Sequence, residues 1–369
     1  MYCPLPFNHT AISTTGHYNV CCYNKTPATD RFHLNDGDFN DWQKNRYCQE
    51  VKQFFKNNIR HAGCHKCWDQ EDLGLTSFRQ RMLTEYKILG SKEKHQELLN
   101  IEISVGNLCN LSCIMCNENS SSAILAENVK LKINQVIQKD FQWSEENFVN
   151  LARNLKLKPK LVNLRGGEPF YNKKIFDLLD SFDPADIKNT VIHITTNGTV
   201  WNDEWARVLS KFKLVRLMFS VDATGDLYNY IRYPGNFETV EKNIKNILKN
   251  KNIKPLIYAC VQNLNILHLG TLIQWAADLG IYLEFEHVVR PRFLEFRNLP
   301  KHLKIESVEY LKKLLDQPLP AHLGAEISRY LQLLETSIDV DDDNLWNEFV
   351  SNISMRDDLR GNSFKDFLT

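Results

Sequence analysis

Residues 101–116 read IEISVGNLCNLSCIMC. The stretch opens as a strand: Ile101, Ile103 and Val105 share one face by period two, and Glu102 and Ser104 share the other. It closes in three cysteines, Cys109, Cys113 and Cys116, spaced C-x3-C-x2-C. Thiolates so close would hold three irons of a four-iron, four-sulfur cluster and leave the fourth iron open. Catalytic metal sites keep an open position, whereas structural ones are closed. The competing reading is a zinc knot with a distant fourth ligand.

The same rhythm continues downstream. Strand candidates are 101–105, 161–165, 191–197, 214–222, 256–262 and 281–287, separated by amphipathic helical segments near 120–136, 144–156, 172–181, 201–211, 236–250 and 266–279. Alternation of strand and helix predicts βαβ units and a parallel sheet. Six units are too few for a full eight-stranded barrel. Each strand is apolar on one face only: Val162 and Leu164 oppose Asn163 and Arg165, and Val215, Leu217 and Phe219 oppose Arg216, Met218 and Ser220. A sheet covered by helices on both sides should be apolar on both. A curved sheet with a polar concave face resolves this, so the expected fold is α/β, a partial open (β/α)6 TIM-like barrel. The cysteine triplet then lies at the carboxyl end of the first barrel strand, where such folds build their sites.

Composition narrows the rest. Lys plus Arg equals Asp plus Glu, 45 against 45, so nothing global favours nucleic acid or anionic lipid as a partner. The start MYCPLPFNHT does not read as a signal peptide, and no apolar run reaches the roughly 18–20 residues of a membrane span. The expectation is a cytoplasmic protein without membrane or nucleic-acid partners. Ten cysteines in such a chain call for metal rather than disulfides. Cys3, Cys21 or Cys22, Cys64 and Cys67 make a second set of four, whose spacing does not separate zinc from a complete iron–sulfur cluster. Cys48 sits in a helical stretch and reads as a buried apolar residue, and Cys260 as a small core residue.

Further motifs stand at successive strand ends. In RGGEPF, Gly166 and Gly167 permit close backbone approach and Glu168 would accept from an ammonium group, although a plain Gly-Gly turn is the alternative. Asn197 lies in TTNGT after the third strand. Ser220 and Asp222 end the fourth, suited to hydroxyl groups, with helix capping by Asp222 as the competing reading.

With these motifs in order, the chain resembles the radical S-adenosylmethionine (radical SAM) superfamily, whose signature is C-x3-C-x2-C after the first barrel strand. The resemblance implies a 4Fe–4S cluster on Cys109, Cys113 and Cys116, with S-adenosylmethionine as the fourth ligand. One electron would cleave it to methionine and a 5′-deoxyadenosyl radical, which abstracts a hydrogen from substrate. It further implies that Gly166, Gly167, Glu168 and Pro169 hold the cofactor's amino group. Asn197 would border the cofactor, Ser220 and Asp222 bind its ribose, and Arg232 its carboxylate. Met115 stands where the family usually has an aromatic residue. The pattern C-x12-G-x4-C from Cys3 to Cys21 resembles the SPASM and twitch modules. That resemblance implies a second, auxiliary 4Fe–4S cluster on Cys3, Cys21, Cys64 and Cys67. Those modules often follow the barrel, whereas here the cysteines precede it.

The expected domains are an N-terminal cysteine-rich auxiliary-cluster (twitch-like) module, 1–95, the barrel, 96–299, and C-terminal helices, 300–369. The ending DDLRGNSFKDFLT is expected beside the N-terminal cysteines. The resemblance points to an oxidoreductase or modifying enzyme acting on a peptide or protein, with an electron donor such as flavodoxin or ferredoxin. A dehydrogenase acting on a small polar molecule such as a sugar or aminocyclitol is the alternative. A non-catalytic zinc or iron–sulfur scaffold is the second.

Overall fold

The computed structural model describes residues 2–72, 76–88, 97–133, 143–340 and 343–368. Among these residues there are eight strands: β1 (His9–Ile12), β2 (Tyr18–Asn19), β3 (Asn100–Ser104), β4 (Leu161–Arg165), β5 (Val191–Thr196), β6 (Leu214–Ser220), β7 (Ile253–Val261) and β8 (Tyr282–His287). They form an open sheet in the order β2-β1-β3-β4-β5-β6-β7-β8. β1 with β3, β3 with β4, β4 with β5, and β7 with β8 pair in parallel, and β1 with β2 antiparallel. The six barrel strands lie where the alternation predicts them, β7 starting three residues early. Burial follows the pattern: Val215, Leu217 and Phe219 are buried while Arg216, Met218 and Ser220 are partly open.

β1 is the element the alternation missed. Its residues HTAI are buried at every position, so no period-two signal marks it. It adds an N-terminal strand, and β2 beyond it, to a sheet expected to have six. The helix predicted at 120–136 is described as Ser122–Lys130, and positions 134–136 lie outside the described residues. The same holds for 341–342 of the acidic stretch 338–344.

Two compact units are distinguished by their contacts. The first comprises Met1–Leu108, Lys139–Thr195 and Asn202–Arg216; the second comprises Cys109–Gln138, Thr196–Trp201 and Leu217–Thr369. In the first, β1, β3, β4 and β5 present a polar face carrying Glu102, Asn163 and His193 in one register row. Arg165 on that face pairs with Glu102 at 2.7 Å. In the second, Cys260 on β7 stands opposite Glu286 on β8, and the helices Lys301–Leu315, Ala321–Ser337 and Asp343–Arg360 complete the unit.

Candidate active site

In the second unit the three triplet cysteines lie on one loop. Its backbone is held at several points. Ser112 N–H donates to Tyr233 C=O (2.6 Å), Ile114 N–H to Ile231 C=O (2.9 Å) and Cys116 N–H to Cys113 C=O (3.0 Å). Cys109 N–H donates to Ser122 Oγ (3.1 Å), and Leu111 N–H points at Cys109 Sγ (3.5 Å). Ser121 caps the following helix and donates to Leu111 C=O (2.7 Å). Burial pushes the Cys113 thiol up to about 11, against the pull of Arg232, and Cys116 up to about 12.

Arg232 is the cation at this loop. Its Nη1 is 3.8 Å from Cys113 Sγ. Its Nε is 2.8 Å from Asp222 Oδ2, in an ion pair whose two side chains are 8% and 0% exposed. The other carboxylate oxygen of Asp222 accepts from Cys260 N–H (2.7 Å). Asp222 is therefore engaged at both oxygens within the protein, and Ser220, partly open at the end of β6, is the more accessible group on that strand end. Cys260 is not the core residue expected: it is half-buried on the polar face of β7, among Asp222, Arg232, Glu286 and Cys113, because positions 258 and 260 fall on the open side of the strand. Asn197 binds Asn110 (2.9 Å) and Thr199 (2.7 Å), which ties TTNGT to the residue after Cys109.

Sequence reading missed what the chain's last long helix does. Arg360 donates to Ser112 C=O (2.6 Å), between Cys109 and Cys113, binds Glu127 through Nε and Nη2 (2.9 Å each), and lies 4.9 Å over the Tyr233 ring. Arg356 joins Glu127 as well. Arg360, in the ending DDLRGNSF, thus holds the triplet loop. No local signal marks a partner 248 residues away. Replacing Arg360 with alanine breaks a buried charge pair, softened by Arg356, so a loss of about 3 kcal/mol is expected. Iron release to a chelator should quicken, and Arg360→Lys should recover only part, since lysine lacks the planar fork. An unchanged release rate would remove the loop-holding role.

In the first unit, GGEP docks against the end of β3. Gly166 and Gly167 have φ of +90° and +53°. A Cβ on Gly167 would lie 2.2 Å from Leu108 O, and one on Gly166 2.9 Å from Ser104 backbone. Glu168 N–H donates to Leu108 C=O (2.8 Å). The Glu168 carboxylate is 1% exposed and caps the turn Pro169–Tyr171 through Phe170 N–H (3.0 Å). Alanine at 167 costs about 1–2 kcal/mol for its φ alone, with the backbone clash in addition. Gly225, at φ +58° with nothing within 4 Å of its Cβ, supplies the control. In urea unfolding, Gly167→Ala should lose clearly more stability than Gly225→Ala; equal losses would remove the clash.

The N-terminal cysteines converge within the first unit. Cys3, Cys21, Cys64 and Cys67 line one cavity with Leu5, Phe55 and Phe78 among its walls and Arg79 at its side. Asn24 donates to both Cys21 Sγ (3.4 Å) and Cys64 Sγ (3.3 Å). Arg79 is fixed by Glu71 (2.6 and 2.9 Å) and lies 5.2 Å over Trp68. Cys22 points away, toward Glu102 and Arg165. The adjacent pair is thereby divided, with Cys21 on the cavity. Cys48 is fully buried on the helix Arg46–Lys56.

Both thiol sets fit an iron–sulfur cluster. Burial and mutual repulsion raise Cys3 and Cys21 well above the ordinary thiol range and Cys64 to about 11, so bound cations are needed to keep them as thiolates. Arg232 and Arg79 add positive charge beside each set. Among the described residues no three metal-type side chains converge closely enough for one ion.

An open α/β sheet with this loop defines a class, and the comparisons give it a name. Residues 103–275 match the Radical SAM superfamily model. That family implies a 4Fe–4S cluster and S-adenosylmethionine. Among curated proteins, the probable GTP 3′,8-cyclase of Methanocaldococcus jannaschii is 25% identical over 57% of this chain and 62% of its own length. The GTP 3′,8-cyclase of Clostridium perfringens strain 13 is 26% identical over 53% of this chain and 57% of its own. The chain thus spans about three-fifths of these relatives. Among solved structures, native anSMEcpe with bound AdoMet aligns with TM-score 0.42 and 19% identity, over 57% of each chain. Streptococcus suis SuiB bound to S-adenosylmethionine aligns at 0.42 and 17%, over 73% of this chain and 60% of its own.

Proposed function

We propose that this radical SAM enzyme starts its reaction at Cys109, Cys113 and Cys116 and carries an auxiliary 4Fe–4S cluster on Cys3, Cys21, Cys64 and Cys67. The observation that supports it is the triplet loop, three thiols held by backbone bonds with Arg232 3.8 Å from Cys113 Sγ. When bound, the cluster and S-adenosylmethionine supply one-electron cleavage to a 5′-deoxyadenosyl radical that takes a hydrogen atom from substrate. The chain's own residues do the positioning. Buried Glu168 receives the cofactor's amino group, Ser220 a ribose hydroxyl, and Arg232, held by Asp222, its carboxylate. Asn197 holds the loop through Asn110. The organisation we propose is an auxiliary module at 1–95, a barrel at 96–299 and C-terminal helices at 300–369.

The substrate we propose is a peptide or protein segment, with reduction by a flavodoxin or ferredoxin. A second reading, a nucleoside triphosphate, is favoured by the curated relatives named GTP 3′,8-cyclase. We place the protein in the cytoplasm, because ten cysteines in two metal-type clusters suit a reducing compartment. Among the described residues no helix is long and apolar enough to cross a membrane. The test is 5′-deoxyadenosine formation by anaerobically reconstituted protein with dithionite, with and without candidate substrates. Stimulation by peptide or by GTP decides between the two readings, and absence of the nucleoside from iron-loaded protein would refute both.

A further inference from the structure

A second cavity lies wholly within the first unit, with a volume of about 830 Å³, within the range of small-molecule sites. Leu161 and Val191, register partners that open β4 and β5, form its floor. It therefore sits at the amino ends of the strands. The helix Phe78–Ile88 covers it, contributing Arg81, Glu85 and Lys87. With Arg216 from β6, three cations face one carboxylate.

Arg216 is built for recognition. Its Nη1 is 3.1 Å from His193 Nε2, and His193 is 8% exposed. Burial and the neighbouring guanidinium hold that imidazole down at about 3. The ring is then neutral at physiological pH, so Nε2 accepts from Arg216 and orients it. Glu85 stands 3.8 Å from the same nitrogen, beyond hydrogen-bond reach. The rest of the fork faces the cavity on a side chain 43% exposed. A planar fork fixed from behind suits phosphate or carboxylate.

The sheet also gives the ligand a length. From the row of Leu161 and Val191 the polar face passes Asn163 and His193 and reaches Arg165, next to Gly166. The four steps from Leu161 to Arg165 span roughly 13 Å at about 3.3 Å per residue. A monosaccharide does not cover that distance, whereas a nucleoside triphosphate or short peptide does.

We infer that this cavity anchors the anionic end, a phosphate or a carboxylate, of an elongated substrate whose far end reaches the carboxyl ends of the strands. The inference rests on the reaction site proposed above. Remote contacts of this kind hold and orient a substrate without touching the reacting atoms. Arg216 is the principal anchor, with Lys87 and Arg81 at the rim.

The test is calorimetric titration of the cluster-loaded protein with GTP, inorganic pyrophosphate, tetraglycine and tetraglycine amide. At least one anionic probe should saturate at micromolar to millimolar concentration. Arg216→Ala should weaken it about tenfold or more and Arg216→Lys less. Lys87→Ala, on an exposed side chain, should weaken it a few-fold and serves if the arginine variants fail to load iron. Preference for GTP and pyrophosphate identifies a phosphate ligand; preference for tetraglycine over its amide identifies a carboxylate. No saturation by any anion, equal binding of acid and amide with no phosphate binding, or affinity unmoved in the loaded variants would overturn the inference. Should arginine-dependent binding persist in protein that makes no 5′-deoxyadenosine, the reaction reading falls and the anion site stands. The converse result removes the anion site alone.

Discussion

Replacing Cys109, Cys113 and Cys116 together with alanine should lower the iron of anaerobically reconstituted protein from about eight to about four atoms per chain, and 5′-deoxyadenosine formation should vanish. Two independent thiol sets underlie this number. The triplet lies on a loop whose bonds run to residues 231 and 233, and the other four cysteines line a cavity in the first unit. Losing one set should leave the other loaded. Replacing Cys64 and Cys67 should remove the complementary four irons. Cys22→Ser, whose thiol faces Glu102, should keep the full count. Loss of iron in the Cys22 variant would show that the adjacent pair had been assigned the wrong way round. Zinc in place of iron at the N-terminal set would leave the triplet as the one redox centre. Little iron and no nucleoside from either set would end the enzyme reading.

The second large effect concerns stability. Asp222 and Arg232 form an ion pair out of reach of water, with the Asp222 side chain 0% exposed. Removing one member of such a pair leaves the other charge buried and uncompensated, typically a loss of 3–5 kcal/mol. Asp222→Ala should fall in that range and should also free Arg232 beside Cys113, so that iron is retained less well. Asp222→Asn keeps an acceptor for Cys260 N–H but not the charge, and should lie between. The double variant Asp222→Ala, Arg232→Ala should be less destabilised than the sum of the singles, because the orphaned charge goes with its partner. Urea midpoints on the four proteins measure this. A loss below about 1 kcal/mol for Asp222→Ala would place the pair with ordinary surface salt bridges.

Period-two alternation made most of the sheet legible. Val215, Leu217 and Phe219 against Arg216, Met218 and Ser220 is a pattern that only a half-buried strand needs. The same rule fails at His9–Ile12, where both faces are covered. Thiol spacing told where the cysteines would gather, since ligands close in sequence are close in space whatever the fold. The roles of Arg360, Glu127 and Asp357 were invisible because their partners lie far along the chain: Tyr230 binds Asp357 at 2.8 Å across 127 residues. Cys260 was misjudged for a subtler reason. A thiol suits either face of a strand, so residue type alone does not assign it; position 260, in step with Tyr258, does.

The bond from Arg360 to Ser112 has a consequence for biogenesis. A ribosome adding about 5–20 residues per second needs roughly 12–50 s to pass from one to the other. For most of that interval the three thiols lack the contact that holds their loop from behind. Metal delivered by a scaffold during synthesis would meet an unfinished seat. Assembly of the centre is therefore expected to follow synthesis of the Arg360 helix, and a nascent chain stalled before residue 343 should accept cluster at the triplet poorly compared with one that carries that helix.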